Sequence, residues 1–73
     1  MTRPSAILPH NLSCARVRCG LSREQTAVAV GRSWATVRGY ELGTTTPPLD
    51  VLSALADLYG VSVGSLVGEQ VSA

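Results

Sequence analysis

The sequence predicts an all-α domain of five short helices, with a helix-turn-helix formed by the second and third. Three observations predict it. Apolar residues recur at three- and four-residue spacing, and the alternation of a half-buried strand is missing throughout. Gly20, Gly31, Gly43 and Gly60 stand where the periodic runs stop. Ser22, Ser33 and Ser62 stand where runs begin, and a Ser there can accept a free backbone N–H of the first turn.

Met1 to Pro9 holds two prolines and no periodic pattern. Residues 1–9 are therefore expected to be a flexible arm, with Ile7 and Leu8 able to dock. Arg3 within it can reach a DNA minor groove, against the plainer reading of a disordered tail. The folded domain is expected over residues 10–67. Helix one runs from His10 or Asn11 to Cys19, with Leu12, Ala15, Arg16 and Cys19 at helical spacing, and Gly20 ends it.

Helix two follows at once, from Arg23 to Val30. Ser22-Arg23-Glu24-Gln25 has the capping-box pattern, in which Ser22 caps the helix and Gln25 reaches back to the Ser22 N–H. Ala27 and Val30 point inward with Thr26 beside them. Gly31-Arg32-Ser33 is a very short connector, and two short helices joined by a tight Gly-containing turn make a helix-turn-helix.

Helix three starts behind Ser33 and stops at Gly43. At about 100° per residue, Trp34, Ala35, Arg38 and Gly39 share one side. Val37, Tyr40 and Glu41 share the other, with Thr36 at its edge. The second side is mostly apolar and wants a core. The first offers an indole, a guanidinium and two small residues. Such a side can lie close to something grooved, such as the DNA major groove. It can equally be the solvated side of an ordinary amphipathic helix.

Leu42 to Pro48 is a loop, since three Thr and two Pro cannot continue a helix. Pro48 suits the first turn of helix four, which runs to Tyr59. Leu49, Leu52, Ala56 and Tyr59 form one apolar stripe, and Val51, Leu55 and Leu58 a second beside it. This arc is wider than one small core needs. Either helix four is a well-buried central helix, or Leu58 with the following Val61 and Val63 contacts a second copy. Ser62 caps a last helix over Val63 to Val67, and residues 68–73 form a tail.

Seventy-three residues are enough for one domain near the lower limit of independent folding. Trp34, Tyr40 and Tyr59 are the only aromatics, so the core must be mostly Leu, Val and Ala. A chain this short often gains stability by dimerising. Net charge is only +1, a weak footprint for a nucleic-acid binder. The distribution says more. All six bases are Arg, and Arg23, Arg32 and Arg38 cluster mid-chain while Asp50, Asp57 and Glu69 lie toward the end.

Cys14 and Cys19 point about 140° apart on a helix and should not bridge each other. They are expected as buried or half-buried thiols in a reducing cytosol. His10 stands alone, and no set at metal-ligand spacing exists, so neither metal nor cofactor is expected. No apolar run is long enough to span a membrane, and the start lacks the apolar stretch of a signal peptide. The expected location is cytoplasmic. His10 and Cys14 have no orienting carboxylate nearby, and no phosphate loop is present, so the chain is not expected to be an enzyme.

At this point the chain resembles the Cro/C1-type helix-turn-helix family, phage-repressor-like and also called XRE. The resemblance covers roughly Leu12 to Val67. Arg16 followed by Gly20-Leu21-Ser22 looks like the family's passage from helix one to helix two. Ala27 and Gly31 match its small helix-two residue and turn Gly. Val37 with Tyr40-Glu41-Leu42-Gly43 is similar to its end of helix three. Pro47, Leu52, Leu55-Ala56, Gly60-Val61-Ser62 and Leu66 match its last two helices. The resemblance implies a five-helix lambda-repressor-like domain. It also implies an ion pair inside the domain between Arg16 and Glu41, of the kind that orients helix three.

By the same resemblance helix three is the recognition helix, with Trp34, Ala35, Arg38 and Gly39 facing base edges. Arg38 suits a bidentate contact to guanine, and Trp34 suits thymine methyls. Ser22, Arg23, Arg32, Ser33, Thr36, Thr44 and Thr45 are then the expected phosphate contacts. Four departures stand out. Ser-Arg replaces the usual Ser-Gln at the start of helix two, Thr26 replaces an apolar residue and implies loose packing, Gly39 replaces a side chain that often reads a base, and Leu42 with the Thr-rich loop lacks a cation. Two functions follow. One is a small transcriptional repressor of the phage or mobile-element kind, binding a palindromic double-stranded operator as a homodimer, with no small-molecule ligand or membrane involved. The other is a protein-interaction module, an antitoxin or antirepressor, built on the same shell.

Overall fold

Four of the five helices form where local capping chemistry directs. The computed structural model describes residues 4–68, with side-chain surroundings from Ile7 onward. Its helices are α1 (Pro4–Arg18), α2 (Arg23–Val30), α3 (Trp34–Leu42), α4 (Leu49–Tyr59) and α5 (Val63–Leu66), with no strand among the described residues. Both halves of the capping box at Ser22 are present. Gln25 N–H donates to Ser22 Oγ at 3.0 Å, and Ser22 N–H donates to Gln25 Oε1 at 2.8 Å. Gly31 ends α2 at φ 69°, a left-handed conformation that only Gly adopts without strain. There Arg32 N–H reaches back to Ala27 C=O at 2.9 Å. Ser62 caps α5 through Ser65 N–H at 3.0 Å.

The first helix departs from expectation. It begins at Pro4 rather than at His10 or Asn11, so residues 4–9 are helical. Pro4 sits at the first helical position, where a missing N–H costs nothing. Pro9 lies inside the helix and withholds one backbone bond. Tertiary docking offsets that loss. Leu8 packs against the core, and the Pro9 ring lies 3.3 Å from where a side chain at Gly43 would begin. The helix ends at Arg18, one residue before Cys19. Arg3, and the tail beyond Gly68, lie outside the described residues.

The core draws on every helix: Leu12 and Ala15 of α1, Ala27 of α2, Val37 and Tyr40 of α3, Val51, Leu52, Leu55, Ala56 and Tyr59 of α4, and Leu66 of α5, with Val30 of α2 packed against it. Both apolar stripes of α4 are therefore used within the chain. Leu49 is the exception, 72% exposed in the first turn before the helix enters the core. Leu58, Val61 and Val63 are half-buried and pack against the same core. The wide arc of α4 is thus that of a central helix. Around it α1 packs on α3 and α5, α2 packs on α3 and α4, and α4 packs on α5. Helix α3 is held between α1 and α2.

Thr26 is fully buried, so α2 is not loosely seated there. Its hydroxyl makes no hydrogen bond of acceptable geometry, although it lies near enough to the Tyr59 hydroxyl to affect that group's ionisation. Both cysteines are exposed free thiols rather than buried ones. Nor is His10 alone: its Nε2 lies 3.4 Å from Cys14 Sγ, one helical turn away. Among the described residues no helix is long and apolar enough to cross a membrane.

Candidate nucleic-acid interface

The site is built on α3. Ser33 has extended backbone angles (φ −77°, ψ 157°), and its hydroxyl accepts the Thr36 N–H at 3.1 Å. The Ser33 and Thr36 hydroxyls also share a hydrogen bond of 2.8 Å. This cap fixes where the helix starts and so which residues face out. Trp34, Ala35 and Arg38 are exposed. Trp34 and Arg38 are one turn apart, and the Arg38 guanidinium lies 5.9 Å from the indole centroid. That is within cation–π range, about 6 Å, and it sets the two long side chains side by side on one face. Among the described residues no carboxylate pairs with Arg38, so its fork of donors is open to an outside acceptor.

The opposite face is fixed from two sides. Val37, Tyr40 and Glu41 are buried, and the Glu41 side chain is only 2% exposed. Arg16 of α1 reaches it with two donors, Nε to Oε2 at 2.7 Å and Nη2 to Oε1 at 3.2 Å. The remaining Arg16 amino group, Nη1, donates to Leu21 C=O at 2.7 Å. The expected ion pair is therefore present in bidentate form. The hydrogen bond to Glu41 raises the Arg16 pKa, against the opposing effect of burial.

Two expected contacts are corrected by this geometry. Arg23, read as a phosphate cation, turns its Nε to Glu41 Oε1 at 3.1 Å and is the second partner of that carboxylate. Opposite charge in a partly dry site draws it inward. Gly39, read as a base-facing position, is buried under the loop after α3. A Cβ placed there would sit 2.9 Å from Thr45 Cγ2 and 3.1 Å from Thr44 Oγ1. The loop folds back because Gly39 C=O accepts the Thr44 and Thr45 N–H groups at 3.0 and 3.4 Å, with the Thr44 hydroxyl also near at 3.4 Å.

The other expected phosphate contacts lie around the outward face. Arg32 is exposed in the turn, held only by a bond to its neighbour Gly31 C=O at 3.1 Å. Ser22 and Ser33 are exposed at the starts of α2 and α3, with their hydroxyls engaged as caps. Thr36 is half-buried, and Thr44 and Thr45 are exposed. Periodicity carried no signal for the Arg23–Glu41 pair. The only hint was the cation that replaces a neutral amide at the start of α2.

Residues 12–69 match the model of a helix-turn-helix domain family. The chain belongs to that family. This helix-turn-helix chain is also similar to two curated proteins. One is the cryptic phage CTXphi transcriptional repressor RstR of Vibrio cholerae, 37% identical over 54 residues, covering 74% of this chain and 49% of the relative. The other is an uncharacterized HTH-type transcriptional regulator, YobD, of Bacillus subtilis (strain 168). It is 44% identical over 48 residues, covering 66% of this chain and 43% of the relative. The chain spans about half the length of the curated relatives it matches. No solved structure matches it. Both named relatives are transcriptional regulators by their names.

Proposed function

We propose that this chain is a sequence-specific regulator of transcription that binds double-stranded DNA, a small cytoplasmic repressor of the phage or mobile-element type acting as a homodimer on a palindromic operator. The observation that carries this reading is the outward face of α3. There Arg38, without a carboxylate partner among the described residues, lies beside Trp34 on the exposed face that also carries the small Ala35, while the inward face is locked by Glu41. A helix so held can enter a major groove without losing its own packing. Arg38 then takes a guanine edge through two donors, and Trp34 lies against thymine methyls. Arg32, the amide ends behind Ser22 and Ser33, and the hydroxyls of Thr36, Thr44 and Thr45 hold phosphates. No cofactor or small ligand takes part.

Few cations are free for this work, because Arg16 and Arg23 face Glu41. The phosphate contribution per protomer is therefore small, and two protomers on a two-fold site make up the affinity. Leu58, Val61 and Val63 pack on the core with one side and, being only half-buried, keep another side open; they are the proposed dimer contacts. The test is selection of duplexes from a random pool at physiological salt. A palindromic motif with half-sites about one helical turn apart is the expected result. Absence of any enriched sequence overturns the reading and leaves the protein-interaction module in its place.

A further inference from the structure

We propose that Arg23 is a positioning residue for DNA recognition rather than a phosphate contact: through Glu41 it sets the angle between the two helices of the helix-turn-helix. This inference rests on the DNA-binding reading. One nearly inaccessible carboxylate at the end of α3 is held by an Arg from each flanking helix, Arg16 of α1 at 2.7 Å and Arg23 of α2 at 3.1 Å. The Arg16 bonds alone satisfy both Glu41 oxygens. Arg23 therefore adds little to neutralising the charge. What it adds is a tie between α2 and α3, from the first residue of one helix to the next-to-last of the other.

That tie links two surfaces with different tasks. The start of α2 carries exposed Ser22 and lies on the proposed phosphate side. The outward face of α3 carries the proposed base readers. Phosphate contacts set register and carry no sequence information, whereas base contacts carry it only when correctly placed against that register. A bond fixing α3 against the start of α2 therefore bears on specificity. Gly31-Arg32-Ser33, the connector at the opposite ends of the two helices, holds them only through the backbone. Arg23–Glu41 closes the other end of the same V.

The experiment compares Arg23→Gln with Arg32→Gln on the selected duplex and on an unrelated duplex, over a range of salt. Removing Arg23 leaves Glu41 paired with Arg16, so no buried charge is orphaned and the variant should fold. For Arg23→Gln the salt slope should be unchanged, while the ratio of specific to non-specific affinity falls about fivefold. For Arg32→Gln the slope should shrink by about 1 and the ratio should hold. For a variant whose circular dichroism shows it folded, a shrinkage of about 1 for Arg23→Gln, or an unchanged ratio, overturns the proposal. A simple loss of folded protein lowers both affinities together and leaves the ratio alone, so it is not mistaken for support. Should Arg23→Gln fail to fold, phenylglyoxal modification of the unaltered chain decides. Duplex should shield Arg32 and leave Arg23 reactivity unchanged, and shielding of Arg23 overturns the proposal. A wild-type chain that binds no duplex defeats the DNA reading itself, a result distinct from each of these.

Discussion

The two faces of α3 belong to one nine-residue helix and obey opposite rules. On the inward face every polar atom of Glu41 is committed, to Arg16 and Arg23, in a site with almost no solvent. On the outward face Arg38 and Trp34 are exposed, with the guanidinium 5.9 Å from the indole centroid. The inward charges are bound because an isolated buried charge is expensive. The outward charge is left open because water solvates it at little cost. One short helix can thus be rigid where it is held and receptive where it is exposed. This division between holding and reading is what the structure contributes to the proposed function.

The largest effect expected breaks the holding side. Glu41→Ala leaves two guanidinium groups, one of them only 13% exposed, without their shared carboxylate. It should destabilise the fold by about 3–5 kcal/mol, read from urea denaturation by circular dichroism. An equally stable variant would mean that the inward face does not depend on its charges. Next, Gly39→Val tests whether the loop covers α3 as tightly as the distances imply. The new side chain meets Thr45 Cγ2 and Thr44 Oγ1 and must displace the loop. The expected cost is about 1–3 kcal/mol, and a cost near zero would show the loop free to move.

A smaller effect comes from Tyr59, beneath the same charged cluster. Burial raises the Tyr59 pKa above its usual value, opposed by the Thr26 hydroxyl. The folded chain therefore keeps the neutral phenol to higher pH than the unfolded chain does. That stabilisation is whole below the ordinary phenol pKa of about 10 and is lost as pH rises through the raised value. Urea midpoints should hold up to about pH 9 and fall beyond about 10, and Tyr59→Phe should flatten the fall. An identical fall in both chains would assign it to other groups.

Much of this was legible in the sequence where the cause is local. Helices α2 to α5 were readable because Ser caps and Gly stops act within a few residues. The start of α1 was not. Pro4 and Pro9 look like breakers; Pro4 sits at the first helical position, and Pro9 is held within the helix where Leu8 packs on the core and the Pro9 ring meets Gly43. The outward set Trp34, Ala35 and Arg38 followed from a rotation of about 100° per residue. Gly39 shares that direction, yet a loop folding back from outside the helix covers it. Periodicity gives a direction and says nothing of what arrives along it. The Arg23–Glu41 pair was not readable for a related reason, since the two residues lie on different helices. The Arg16–Glu41 pair was readable only through family resemblance.

The central claim is that α3 reads DNA with its outward face while its inward face holds the fold. Arg38→Ala tests it most directly, with stability and affinity for the selected duplex measured on the same preparation. Arg38 is exposed and has no ion-pair partner among the described residues, so the urea midpoint should not move. Affinity for the selected duplex should fall by about 1–3 kcal/mol, and the preference for guanine at one position should relax. Unchanged affinity and unchanged base preference would contradict the account.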